Sequence, residues 1–242
     1  MQQIIKAWPL LCPKPYFEFE MEYNEFQVYA DCPKGEALKS ILDEVSARLR
    51  SIPIEGPEPQ YTLFICYDAE RYKMFANKAG KPATSQGFNL MPLGYTFINQ
   101  SFISKIKKAN SHGYQYNLLE GNPAHIITHE ITHQLLSKEL GFFKVRQIPT
   151  WKLEGYCEYA ASLHPKRRDS SYQFKNELFK YFAGQYDHIP AGRQFYIRSQ
   201  LLTEYYLDHQ ENSFDTFMAD SLLEHDLWQS LKRTFKSTLG NW

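Results

Sequence analysis

The sequence predicts an α+β fold, with a strand-rich N-terminal lobe on a mixed sheet and a helical C-terminal lobe. Two observations predict it. Short runs of β-branched and aromatic residues, bounded by turn residues, recur through the first hundred positions. Beyond them, apolar residues fall at helical spacing in one segment after another. The 242 residues suffice for one domain with a core that needs no staples. The expected organisation is a single domain over residues 1–242, with approximate lobes at 1–110 and 111–242.

The elements follow in order. Tyr16 to Tyr23 alternates strictly: Phe17, Phe19, Met21 and Tyr23 on one face, Glu18, Glu20 and Glu22 on the other. That pattern predicts a half-exposed antiparallel strand. Asn24-Glu25 turns it into a second strand near Phe26–Tyr29. Leu38, Ile41, Leu42, Val45 and Leu49 lie on one side of a helix over Glu36–Arg50. Pro53, Pro57 and Pro59 make the next segment a loop. Tyr61–Tyr67 is a buried strand, Asp68 caps a helix from Ala69 to about Lys78, and Gly94–Asn99 is another strand. The change from strands to helices falls between Ser101 and Asn122. Asn122 as N-cap, Pro123 in the first turn and Gly141 as C-terminal stop bracket a helix of about five turns. Pro149-Thr150 opens the next, to about Leu163. Further helices are expected near Tyr172–Phe182, Arg193–His209, Phe214–Ser221 and Asp226–Ser237.

Composition excludes several functions. Lys+Arg 27 against Asp+Glu 27 leaves no electrostatic footprint for nucleic acid. The run Lys166-Arg167-Arg168 is a solvated loop after Pro165. No stretch approaches the roughly 18 apolar residues of a membrane span. The start, MQQIIKAWPLLCPKP, is no proper signal peptide, so a cytoplasmic location is expected unless a leader has been removed. Cys12, Cys32, Cys66 and Cys157 contain no CxxC pair, which argues against a cysteine metal site. Cys12 and Cys32 could bridge a hairpin, and the sequence leaves that open. The aromatic content, 16%, reads first as an aromatic-rich core and second as a cleft lined for peptide side chains.

The chemistry is concentrated in His129-Glu130-Ile131-Thr132-His133. Histidines four apart on a helix lie one turn above each other, so both imidazoles can reach one metal ion. A glutamate beside the first can take a proton from a metal-activated water. Chance alone produces HExxH in about one chain in fifty of this composition, so its surroundings matter. Ile126, Ile127, Ile131, Leu135 and Leu136 give the helix an apolar side. Glu154, which follows His133 after twenty intervening residues and lies on the next helix, offers a third ligand. Glu158, one turn after Glu154, can accept the free N–H of a ligand histidine and so hold its tautomer. His125 is expected to be structural or solvent-facing. His112, His164, His188, His209 and His225 show no ligand spacing, and Cys157 is expected to be a small buried residue.

HEITH together with Pro149-Thr-Trp-Lys-Leu-Glu154-Gly155-Tyr-Cys-Glu158-Tyr159 resembles the gluzincin metallopeptidases of the peptidase-MA-like group. The resemblance covers about Ala124 to Ala161. It implies a zinc ion (Zn2+) bound by His129, His133 and Glu154 in the cleft between the lobes. It also implies Glu130 as general base, Glu158 in the acidic position behind the ligands, and a peptide or protein substrate. The segment Tyr196-Ile-Arg-Ser-Gln-Leu-Leu-Thr-Glu-Tyr-Tyr-Leu resembles the helix that carries an oxyanion-binding tyrosine in aminopeptidase-like members. Tyr196 is then the candidate, with Tyr205 as a fallback that reads better as core. The Gly-x-Met-Glu-Asn motif of those aminopeptidases is missing, so nothing marks a site for a free amino terminus. The substrate-binding edge strand of the family corresponds by analogy to Gly94–Asn99, along which a peptide would add as a further strand. Two other readings fit the same residues: a catalytically silent binding or scaffold module of gluzincin fold, and a zinc hydrolase of a non-peptide bond. Oligomeric state is not legible.

Overall fold

The computed structural model describes residues 8–33, 35–54, 60–101, 122–163 and 174–239. It divides the chain into two compact units, Met1–Phe142 and Phe143–Trp242. Pro57, Pro59, His112, His164, the Lys166–Arg168 run and nearly all of the expected strand-to-helix passage lie outside the described residues.

The first unit is α+β around a five-stranded mixed sheet of order β1-β2-β3-β5-β4. Strands β1 (Phe19–Tyr23) and β2 (Phe26–Ala30) form an antiparallel hairpin with Met21 opposite Val28. Asn24 turns the hairpin at φ 51°, a conformation that asparagine tolerates better than most residues. Helix α1 (Gly35–Leu49) carries the chain over to β3 (Tyr61–Cys66), which runs parallel to β2. Helix α2 (Ala69–Lys78) starts where the Asp68 carboxylate accepts the Glu70 N–H. Strands β4 (Gly87–Leu90) and β5 (Tyr95–Asn99) are antiparallel, and β5 lies parallel to β3. Helix α3 (Pro123–Leu140) follows.

Alternation along the strands sorts the core into two layers. Leu63, Ile65, Val28 and Ile98 face α1 and α3, where Leu38, Leu42, Val45, Ile127 and Ile131 close over them. Phe64, Cys66, Phe88 and Phe97 face α2, where Tyr72, Phe75 and Phe17 complete a largely aromatic layer. Phe97 stacks with Phe64 and with Phe88, each at 4.8 Å between ring centroids. Much of the aromatic surplus therefore sits in the core.

Two expectations need correction. The first strand begins at Phe19, since Lys14–Tyr16 coils into a 3-10 turn. Phe17 consequently leaves the alternation and packs in the α2 layer, whereas Met21 and Tyr23 pack in the α1 layer. The segment Gly94–Asn99 is not an edge strand: β5 lies between β3 and β4, and among the described residues β4 is the edge. A four-residue strand containing a glycine and an asparagine, with Pro92 in the turn beyond it, escapes the usual strand signature. Cys12 and Cys32 are not bridged.

Among its described residues the second unit holds helices and turns only. They are a single-turn helix at Phe142–Val145, which starts at the boundary, then α4 (Thr150–Ser162), α5 (Phe174–Phe182), α6 (Ala191–Glu204) running into a π-turn at Tyr205–His209, α7 (Phe214–Ala219) and α8 (Glu224–Leu239). The α4 and α6 backbones meet at Gly155, where an added Cβ would stand 2.5 Å from the Ser199 carbonyl oxygen. Lys152 is buried and donates to the carbonyls of Phe217 at 2.7 Å and Asp220 at 2.5 Å, which ties α4 to the end of α7. Burial pushes its pKa below the usual lysine value. Among the described residues no helix is long and apolar enough to cross a membrane.

Candidate metal centre

Helix α3 is rigidly built. The Asn122 side chain accepts the N–H groups of Ala124 and His125, which satisfies two of the otherwise orphaned donors of the first turn. Within residues 124–133 every side chain except that of Glu130 is buried. The helix is thus enclosed on more than the apolar side expected from its isoleucines. Its buried threonines return their hydroxyls to the helix: Thr128 donates to Ala124 O at 2.8 Å and Thr132 to Thr128 O at 2.7 Å. His125 is buried too, at 3% exposure, which fits a structural role and not a solvent-facing one.

Three residues spaced by one turn seat α3 on the β4–β5 pair. Ile126 lies over Gly87, where an added Cβ would come within 3.3 Å of Ile126 Cγ2 and 3.1 Å of Glu130 Cγ. Glu130 comes next: Asn89 Nδ2 donates to its Oε2 at 2.9 Å. Gln134 follows, with Nε2 donating to Thr96 Oγ1 at 2.6 Å. Asn89 and Thr96 are themselves partners across the β4–β5 ladder. The edge strand is therefore fixed against the helix at the glutamate of the HExxH motif.

His129 and His133 are brought together as their spacing predicts. Their Nε2 atoms are 3.2 Å apart, and both residues are buried at 9% and 7% exposure. Two nitrogen ligands of one tetrahedral zinc ion, each about 2.0 Å from the metal, stand about 3.3 Å from one another. The pair has the separation that a shared ion requires, and imidazole is a suitable donor for zinc.

The remaining candidates stand in the second unit. Glu154 and Glu158 lie one turn apart on α4, with Gly155 between them, and Glu158 is buried at 4% exposure. Its Oε1 lies 3.3 Å from Arg193 Nη1 on α6. The same guanidinium stands 6.0 Å from the centre of the Tyr196 ring, so α6 sets Tyr196 beside the ion pair. Tyr205 is core: it is buried, and its hydroxyl bonds Thr234 Oγ1 at 2.8 Å. Cys157 is fully buried, as expected. Sequence reasoning missed Arg193 and Asn89. Arg193 had a weak signal, lying one helical turn before Tyr196. Asn89 had none, because its strand was not recognised.

No protein-family model matches the chain, and no curated protein matches it.

Proposed function

We propose that the chain is a zinc-dependent peptidase of gluzincin type, with His129, His133 and Glu154 as metal ligands and Glu130 as general base. The observation that carries the proposal is the convergence of the two imidazole nitrogens to 3.2 Å on a helix whose intervening glutamate is held at the edge of the sheet. Zinc, when bound, supplies Lewis acidity that lowers the pKa of water toward about 7 and polarises a carbonyl.

The chain's own residues do the rest. Glu130 takes a proton from the attacking water and returns it to the leaving amine. Edge strand β4, uncharged and beside Glu130, is the natural place for an extended peptide to add by backbone hydrogen bonds. Tyr196 donates its phenol to the oxyanion that develops on the scissile carbonyl. Arg193 holds the Glu158 side chain in place on α4, the position from which, in this reading, an acidic group orients a ligand histidine.

The test is metal analysis of the purified chain together with cleavage of a quenched fluorescent peptide library. Wild type should hold stoichiometric zinc and cleave. Glu130→Gln should keep the zinc and lose hydrolysis by about 10²- to 10⁴-fold. Glu154→Ala should lower zinc retention. Wild type without stoichiometric metal, or Glu130→Gln with full activity, overturns the proposal. Unchanged zinc in Glu154→Ala overturns the third ligand alone. Stoichiometric zinc without cleavage of any peptide transfers the site to a non-peptide bond or to a silent binding module.

A further inference from the structure

We propose that Asn89 is the positioning residue for Glu130, an inference that rests on the peptidase reading and deepens it. A glutamate side chain turns about three torsions, and a base that samples all of them spends little time aligned with a water. Glu130 is the one side chain of residues 124–133 that is not buried, so packing alone does not hold it. What holds it is the carboxamide of Asn89, whose Nδ2 donates to Oε2 at 2.9 Å. The other carboxylate oxygen, Oε1, has no hydrogen-bond partner among the described residues and is left to receive a proton.

Three further features make this an arranged contact. Gly87, two positions before Asn89 and on the same face of β4, clears the space: a Cβ there would crowd Glu130 Cγ at 3.1 Å. The β4–β5 register places Asn89 opposite Thr96, and Thr96 is held by Gln134, one turn beyond Glu130. Strand and helix are thereby locked in register on both sides of the contact. Finally, Asn89 Oδ1 is buried without a hydrogen-bond partner among the described residues, so Glu130 alone dictates which end of the amide faces the helix. The bond to a carboxylate is charge-assisted and stronger than an amide–amide contact. Asn89 thus fixes one oxygen of the base while the second stays available.

The hydrogen bond is read without turnover, in proton–nitrogen NMR spectra of the whole chain recorded with and without added zinc. One Asn89 side-chain N–H should lie well downfield of its partner, and Glu130→Ala should return it to the position of a free amide. An Asn89 amide that does not respond to Glu130→Ala overturns the proposal. With the quenched fluorescent peptide library, Asn89→Ala should lower kcat by about a hundredfold while KM and zinc content stay near wild type. Asn89→Leu keeps the volume, removes the donor and serves if the alanine variant does not fold. Gln134→Met removes the neighbouring rung; it should lower the melting midpoint and leave kcat alone. Asn89→Ala and Asn89→Leu with wild-type kcat, or with zinc lost in step with activity, overturn the inference. A wild type that hydrolyses nothing while the Asn89 amide still responds to Glu130→Ala overturns the peptidase reading and leaves the anchor standing.

Discussion

Gly155→Ala is the sharpest test of how α4 is held. A methyl at Gly155 would stand 2.5 Å from both the Ser199 carbonyl oxygen and Thr203 Oγ1, and 2.9 Å from the Ser199 carbonyl carbon. An ordinary carbon–oxygen contact is about 3.3 Å, so α4 and α6 would have to part by roughly 0.8 Å. Neither obstacle is a flexible tip: one is backbone, and the Thr203 hydroxyl is itself bonded to Ser199 O at 2.9 Å. Overpacking of this kind costs about 1–3 kcal/mol, here toward the upper end. Alanine recovers about 1 kcal/mol of helix propensity relative to glycine. The net expectation is a loss of about 1–2 kcal/mol, read as a lower midpoint in urea or on heating. If Glu154 is the third ligand as proposed, zinc retention should fall with it. A Thr203→Ala background removes one of the two obstacles and should restore part of the loss. A Gly155→Ala chain more stable than wild type, as an exposed helical glycine would give, refutes the reasoning.

Asn122→Ala removes the acceptor for two N–H groups at the start of α3 and should cost about 1 kcal/mol. Asn122→Asp keeps the acceptor and should be close to neutral, so equal losses in the two variants would contradict the cap. A pH effect comes from His209, whose ring packs 4.2 Å from that of Phe174. Partial desolvation lowers its pKa from the usual 6.5. Just below pH 6.5 the unfolded chain therefore binds a proton that the folded chain refuses, and stability falls as the pH drops through that value. His209→Gln should remove this share of the acid-side decline. Parallel midpoint curves for the two chains between pH 7 and pH 5 would sink the assignment.

Elements with a local signature were legible. Asp68 and Asn122 are short acceptors at helix starts, and both cap the helices expected of them. Gly141 ends α3 at φ 86°, where a side chain would be strained. The pairing of His129 with His133 follows from helix geometry alone. What escaped was non-local. That Tyr95–Asn99 is interior and Gly87–Leu90 the edge depends on which strands pair, and no local pattern encodes pairing order. Asn89 reaches Glu130 only because two antiparallel strands place it there, forty-one residues away in the chain. Arg193 opposite Glu158 depends likewise on the α4–α6 approach that Gly155 permits.

The two borders of the sheet are built to opposite specifications. An exposed strand edge invites pairing with another chain, and charged side chains on it are a common defence. Strand β1 carries Glu20 and Glu22 exposed, and any second copy adding there would set carboxylates close to carboxylates. Strand β4, Gly-Phe-Asn-Leu, carries no charge and spans only about 13 Å at the usual strand rise. Its shortness limits the backbone bonds that a misplaced partner could make. Edge-to-edge pairing of this sheet is thus discouraged by electrostatic repulsion at β1 and by brevity at β4, and salt should weaken only the first.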